Sequence, residues 1–109
     1  MRIDLFTQIN GGATRKKTFN TTSASMELPA TGQREQRLQL YNAGNVPVYF
    51  RLAKNGTSTA TVPTDAVNGG DCVPSGAIYS ITRAQDDTHI AAITESGTAS
   101  LVVTAYYGY

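Results

Sequence analysis

The chain has 109 residues, and nine basic and eight acidic side chains leave it a formal charge of only +1. This length fits a single domain, residues 1–109, because two separate cores would each be too small to be stable. Charged residues make up 16% of the sequence, so it lacks the strong field with which a surface gathers nucleic acid or acidic lipid.

Alternating residues predict strands from the beginning of the chain, and no stretch shows the apolar spacing of an amphipathic helix. Residues 1–9 form the first such run, with one face made of Ile3, Leu5, Thr7 and Ile9. The glycine turn at residues 10–12 ends it. Residues 18–28 follow as one irregular strand or two, with three apolar anchors: Phe19, Met26 and Leu28.

Two alternating runs in the middle of the chain predict a hairpin. Residues 37–41 place Leu38 and Leu40 inward, and residues 46–52 place Val48, Phe50 and Leu52 on one face. Only the short turn at 42–45 separates the runs, so we expect them to pair. Pro47 has no N–H to donate, which places it at a sheet edge or at the start of its strand.

The second half of the sequence predicts further strands separated by clear turns. A Thr-rich strand is expected over residues 57–62, a loop over 63–70 and a turn over 73–76. A strand over 77–83 then leads into a polar connection at 85–87. Residues 89–94 and 100–106 form a second predicted hairpin across the turn at 95–97.

About eight short strands at roughly 10-residue spacing indicate an all-β fold, an antiparallel sandwich of two sheets. An eight-stranded jelly roll fits best, and an immunoglobulin-like sandwich comes second. The sequence leaves the order of the strands within the sheets open.

No set of residues in the sequence predicts catalysis or metal binding. His89 is the only histidine and is interpreted as a strand residue. Cys72 is the only cysteine and is interpreted as a small, partly buried apolar side chain, or else as an intermolecular or reactive thiol. One histidine and one cysteine fall short of a zinc ligand set, and no calcium loop is present. We therefore expect no enzyme activity and no cofactor. No membrane-spanning run or signal peptide is found, so synthesis in the cytoplasm is expected.

Two segments are candidates for contact with a partner. Arg15, Lys16 and Lys17 form the one concentrated charge, interpreted as a solvated loop that discourages strand pairing or as a docking site for an acidic partner. Without an aromatic stacking platform, three charges make a weak nucleic-acid site. Tyr106, Tyr107 and Tyr109 are interpreted as a protein-contact patch, or else as residues that close the end of the sandwich.

From about Leu38 to Ala105 the sequence resembles small structural proteins of tailed-phage virions. Three segments carry the resemblance: Leu40–Leu52, which reads LYNAGNVPVYFRL; Val73–Ala77, which reads VPSGA; and His89–Thr104, which reads HIAAITESGTASLVVT. The likeness lies in the residues of the turns and in the strands that follow them, and it implies no functional residue. Members of the group often end in a glycine-rich tail with an acid, where this chain has three tyrosines in its last four residues.

The resemblance implies a capsid decoration or cement protein that bridges subunits of the major capsid protein on the virion surface. Such proteins have jelly-roll or sandwich folds and assemble as homo-oligomers, most often trimers. Residues 1–9 and 15–17 are the expected shell-facing side. The alternative is a fibre, receptor-binding or carbohydrate-binding β module, in which Tyr41, Tyr49 and Tyr79 face outward on one surface.

Overall fold

The computed structural model describes residues 6–8, 14–29, 36–84 and 86–108. Nine strands and no helix occur in these ranges, so no helix there is able to span a membrane. The strands are β1 (Phe6–Gln8), β2 (Thr14–Phe19), β3 (Ala24–Glu27), β4 (Gln36–Asn42), β5 (Val48–Ala53), β6 (Asp71–Val73), β7 (Ile78–Arg83), β8 (His89–Thr94) and β9 (Ala99–Gly108). The predicted strand over residues 18–28 is therefore two strands.

The strands form two antiparallel sheets packed face to face, which confirms the predicted all-β sandwich. Sheet A has the order β1-β9-β4-β7, and β2 also pairs with β9. Because β1 pairs with the far end of β9 and β2 with its near end, sheet A is four strands wide. Sheet B has the order β3-β8-β5-β6.

The pairing is nested, which is the arrangement of a jelly roll. Strand β5 pairs with β6, β4 with β7, β3 with β8, and β2 with β9, as in one long antiparallel ribbon. The contacts of β4 with β9 and of β5 with β8 form where that ribbon rolls up into two sheets. The fold expected from the strand spacing is thereby confirmed.

The core lies between the sheets and is built from alternate residues of each strand. Leu38 and Leu40 are fully buried, as the alternation predicted, and so is Val48 at the start of β5. The three expected anchors are buried as well: Phe19, Met26 and Leu28. Alternation identified the inward face correctly because it depends only on the period of two.

Both predicted hairpins are wrong. Strand β4 belongs to sheet A and β5 to sheet B, and the same is true of β9 and β8. Each short turn therefore carries the chain across the sandwich from one sheet to the other. A tight turn between alternating runs is common to both arrangements, so the sequence did not distinguish a crossing from a hairpin.

Asn42 holds the crossing between β4 and β5. Its side chain is fully buried, and the amide donates hydrogen bonds to the carbonyl oxygens of Val46 (2.8 Å) and Val73 (2.9 Å). Its Oδ1 accepts a bond of 2.9 Å from the backbone N–H of Gly44. A Cβ at Gly44 would lie 2.5 Å from the Cβ of Ala99, so only glycine fits where this turn meets β9.

Residues 57–62 are not the strand that their threonines predicted. They form a loop that lies over the outer face of sheet B, where Ser25 Oγ donates to Ser58 O (3.2 Å) and Ala60 N donates to Ser23 Oγ (2.8 Å). Ala91 of β8, which pairs with Ser25, is fully buried although it faces away from the core. The expected loop over residues 63–70 and the turn after Val73 are both present.

Candidate interaction surface

The basic segment lies in a strand and not in the predicted loop. Arg15, Lys16 and Lys17 are the middle residues of β2, which pairs with β9 at one edge of sheet A. Charged side chains on an edge strand hinder pairing with another molecule. The position of the segment on an edge strand is therefore consistent with the interpretation that its charges discourage strand pairing, but the segment is a strand and not a loop.

Strand geometry divides the three charges between two faces. Lys16 pairs with Val102 and is exposed on the outer face of sheet A, whereas Arg15 pairs with the buried Val103 and faces the other way. Arg15 Nη2 lies 3.6 Å from Glu27 Oε1 on sheet B, and both side chains are at least half exposed. An ion pair of this kind contributes little. The segment is thus not a single basic patch.

The tyrosines near the end of β9 are described only in part. In the backbone register Tyr106 pairs with Gln8 and Arg37, and Tyr107 pairs with Thr7 and Gln36. Their side chains and the whole of Tyr109 lie outside the described part of the chain. Residues 106 and 107 thus lie on β9 a few positions beyond residues 101–103, which pair with the basic segment.

The outer face of sheet A carries an exposed apolar row that the sequence analysis missed. One line of cross-strand partners joins Lys16, Val102, Tyr41 and Ile78. Ile78 is 58% exposed, Tyr41 is 40% exposed and Val102 is partly buried. Cross-strand neighbours on one face lie in contact range, so these side chains form one strip.

A signal for this strip was present in the sequence. Ala77, Ile78 and Tyr79 are three consecutive apolar residues, and a strand with one buried face needs only alternate ones. Such a run requires an apolar side chain on the outer face. Around the strip the surface is polar, with Thr18, Ser80, Ser100 and Thr104 among the outward residues of sheet A.

The three tyrosines proposed for a sugar-binding face do not share one surface. Tyr41 lies on the outer face of sheet A, and Tyr49 lies on the outer face of sheet B beside Cys72 and Ile93. Tyr79 pairs with the buried Leu40 and so faces the inner side of sheet A at its edge. A stacking platform made of all three tyrosines is therefore excluded.

His89 and Cys72 are not brought together. His89 is on β8 and Cys72 is on β6, on either side of β5 in sheet B. Their partners on β5, Ala53 and Tyr49, are four residues apart, so His89 and Cys72 are separated by roughly 10 Å across the strands and roughly 13 Å along them. The ring of His89 is hydrogen-bonded through Nδ1 to Thr88 Oγ1 (2.8 Å). Burial raises the pKa of the Cys72 thiol and so disfavours the reactive thiolate. No group of three or more metal-ligating side chains occurs among the described residues.

The acidic pair at residues 86 and 87 has structural contacts. Asp86 Oδ2 lies 2.9 Å from Lys54 Nζ, and this hydrogen bond lowers the pKa of Asp86 and raises the pKa of Lys54. Asp87 Oδ2 accepts a hydrogen bond from the N–H of Ala84 (3.0 Å) and closes the turn after β7. The carboxylate of Asp87 thus bonds within the connection from β7 to β8, and that of Asp86 bonds to Lys54, the residue after β5.

The comparisons with known proteins add little to this geometry. No protein-family model matches the chain, and no curated protein matches it. A solved structure of Bacillus endospore appendages, a family of disulfide-linked pili, is similar over 94% of this chain and 89% of its own, with 16% identity and a TM-score of 0.48. A likeness at that TM-score carries no argument about function or partners.

Proposed function

We propose that this chain is a structural subunit of a larger assembly, and specifically a capsid decoration protein of a tailed phage. In this role it binds the virion surface, bridges neighbouring copies of the major capsid protein and acts as a homo-oligomer, for which the resemblance favours a trimer. It needs no cofactor and performs no reaction. The observation that carries the proposal is the exposed apolar strip of Val102, Tyr41 and Ile78 on the outer face of sheet A, with Lys16 at one end of it.

This strip has the composition of a protein-contact surface. Interfaces are enriched in tyrosine and depleted in charge at their centre, with a polar rim around them. Burial of apolar area contributes about 25 cal/mol per Å². Because a shell repeats the same contact many times, an individual contact is allowed to be weak. Strand β1, which holds residues 6–8 of the predicted shell-facing segment 1–9, and β2, which holds residues 15–17, belong to the same sheet.

The proposal is tested on virions purified from the source that encodes the chain. Quantitative mass spectrometry is expected to find the chain at a fixed ratio to the major capsid protein. A chain that is absent from the particles, or present at a ratio that varies between preparations, contradicts the proposal.

A binding experiment then locates the shell-facing surface. Particles stripped of the chain are titrated with the purified protein, and Tyr41→Ser is expected to weaken binding about tenfold or more. Tyr49→Ser makes the same chemical change on the outer face of sheet B and serves as the matched control. Equal effects of the two substitutions would exclude the outer face of sheet A as the contact.

The fibre or carbohydrate-binding alternative has weaker support because its three tyrosines are spread over both sheets and an edge. Selective binding of the purified chain to one class of glycan on an array would favour it over a decoration role.

A further inference from the structure

The edges of the two sheets differ in how well they are protected from pairing with another molecule. Strand β2 carries Arg15, Lys16 and Lys17. Strand β3 has only four residues, and the loop that contains Ser58 and Ala60 is hydrogen-bonded to Ser25 in this strand and to Ser23 just before it. Strand β6 has three residues between a glycine pair and a proline. Short length, charge, proline and covering loops are the devices that blunt an edge.

Strand β7 has none of these devices. It is six residues long, and the side chain of its single charged residue, Arg83, is buried at 1% exposure. The remaining sequence, Ile-Tyr-Ser-Ile-Thr, is strongly β-forming and uncharged. Among the described residues β4 is the strand paired with β7, so the opposite edge of β7 is open there.

The register determines which backbone groups are available at this edge. The N–H of Asn42 donates to the carbonyl of Ala77 (3.1 Å), which fixes the phase of the β4·β7 ladder. Antiparallel bonding alternates along a strand. Tyr79 and Ile81 therefore bond toward β4, and the N–H and C=O groups of Ile78, Ser80 and Thr82 point to the open edge.

We propose that a second copy of this chain binds here, with the two β7 strands antiparallel about a two-fold axis that passes beside Ser80. In this register Ser80 faces Ser80 of the other copy, and Ile78 faces its Thr82. It is the register that uses all three free positions of both copies, and each such pair exchanges two hydrogen bonds. Sheet A then continues through both molecules. This contact is separate from the proposed shell contact, which uses the face of the sheet, and the two-fold pair is an alternative to the trimer that the resemblance favours.

The side chains support self-pairing because like charges do not meet. On the outer face the pairs are Ile78 with Thr82 and serine with serine, and on the inner face Tyr79 meets Ile81 of the second copy. Pairs of β-branched and aromatic residues are among the stabilising cross-strand combinations. The same arrangement at β2 would bring Lys16 and its neighbours against their own copies, which is unfavourable.

A groove beside β7 provides a place for the tyrosine of the second copy. It has a volume of about 370 Å³ and lies between Ile81 and Thr82 on one side and Leu52 and Gly70 on the other. The second copy's Tyr79 arrives opposite Ile81 on the inner side of the sheet, which is the side where the groove opens. Tyr79 is 41% exposed in the single chain and becomes covered in the pair.

The groove also provides for the hydroxyl of that tyrosine. A buried tyrosine O–H requires a hydrogen-bond partner. Asp71, which pairs with Phe50 at the edge of sheet B, lines the same groove and offers a carboxylate as the acceptor. Two tyrosine rings and two short strands place this contact at the lower end of specific interfaces, at about 1,200 Å² or below, so it forms in a concentration-dependent manner.

The first test is the mass of the purified chain in sedimentation equilibrium over a concentration series, with Ser80→Pro as the variant. The N–H of residue 80 points away from β4, so proline removes a bond of the proposed pair and none of the β4·β7 ladder. The variant is expected to halve the mass of the wild-type species. Lys16→Pro, at the equivalent outward-facing position of β2, is the matched control and is expected to leave the mass unchanged.

The second test uses charge, which leaves the backbone intact. Ser80→Lys and Ser80→Glu each bring two like charges together at the axis and are expected to dissociate the pair. An equimolar mixture of the two variants is expected to restore it, since lysine then faces glutamate. Tyr79→Ser is expected to weaken the pair about 30-fold, as loss of a buried interface aromatic does.

The outcomes decide the proposal. A chain that stays monomeric at every concentration overturns it and leaves the edge to a different partner. A mass unchanged by Ser80→Pro, or charge variants that the mixture fails to restore, overturns it as well. None of these results depends on whether virions contain the chain, so this proposal and the proposed function fail separately.

Discussion

Asn42 and Arg83 are buried polar side chains at opposite ends of the β4·β7 ladder, and each bonds backbone carbonyls of the connections around it. Asn42 is neutral and bonds two carbonyls and one N–H within the turns that leave β4 and β6. Arg83 is charged, and its guanidinium donates to the carbonyls of Pro29 (2.7 Å) and Asp87. Both side chains satisfy carbonyl groups at or beyond the ends of the strands.

The difference between them is the cost of burial. An amide loses little when it leaves water and regains its hydrogen bonds, whereas a guanidinium must be desolvated as a cation. Burial accordingly lowers the pKa of Arg83, although Asp87 acts in the opposite direction. Each side chain joins two connections, Asn42 with a compact neutral amide and Arg83 with a longer side chain in spite of its charge.

The largest effect is expected for Arg83→Met, which keeps much of the length and removes the donors. Two carbonyls lose charge-assisted bonds, so unfolding free energy should fall by about 4 kcal/mol. Urea unfolding of the purified chain measures this loss. Arg51→Met is the control, because Arg51 is exposed and its bond to Thr59 O is long at 3.5 Å; a change within about 0.5 kcal/mol is expected. Similar losses for both variants would contradict a special role for Arg83.

A somewhat smaller effect is expected for Asn42→Ala. The substitution leaves two carbonyls and one N–H without their partner, which costs about 3 kcal/mol in the same assay. Asn45→Ala, in the same turn but exposed, is the control and should have almost no effect. If the two asparagines proved equivalent, the crossing would not depend on the buried amide.

The smallest effect is expected for the exposed ion pair of Lys54 and Asp86, which lies at the same end of the sandwich as Arg83. The pKa of Asp86 is lowered from its ordinary 3.8, so its contribution is present above that pH and is lost as the pH falls through the folded-state value. The raised pKa of Lys54 extends the pair to alkaline pH. Thermal midpoints of wild type and Asp86→Asn should therefore differ slightly at neutral pH and converge in acid. A difference that persists in acid would exclude the ion pair as its cause.

The sequence predicted what depends on local periodicity. Leu38 and Leu40 were assigned to the core because every second residue of a half-buried strand must be apolar. The number and spacing of such strands were sufficient for the sandwich and the jelly roll. The pairing of strands within each sheet was not predicted, because alternation determines which face of the sheet a residue is on and gives no information on the neighbouring strand.

The errors have equally specific reasons. Asn42 was assigned to an ordinary turn, because buried and exposed asparagines look alike in a sequence. Residues 57–62 have high β propensity, yet they bond to Ser23 and to the side chain of Ser25 in place of a strand. For the interaction surface, the charges of Arg15–Lys17 were recognised; the apolar run at Ile78 was a signal in the sequence, but its neighbours in the strip are known only from the pairing of β4 with β7 and β9.

The central position of β9 has a consequence for folding during synthesis. This strand pairs with β1, β2 and β4, and β2 meets it across some 90 residues of sequence, as in the Thr14–Thr104 contact. Until residues 99–108 leave the ribosome, sheet A consists only of β4 and β7, and the buried residues that β9 contributes to the core, among them Leu101 and Val103, are missing. Pairings so distant in sequence make folding slow. The domain therefore completes sheet A only after its other strands have been synthesised, unlike a chain built from local hairpins.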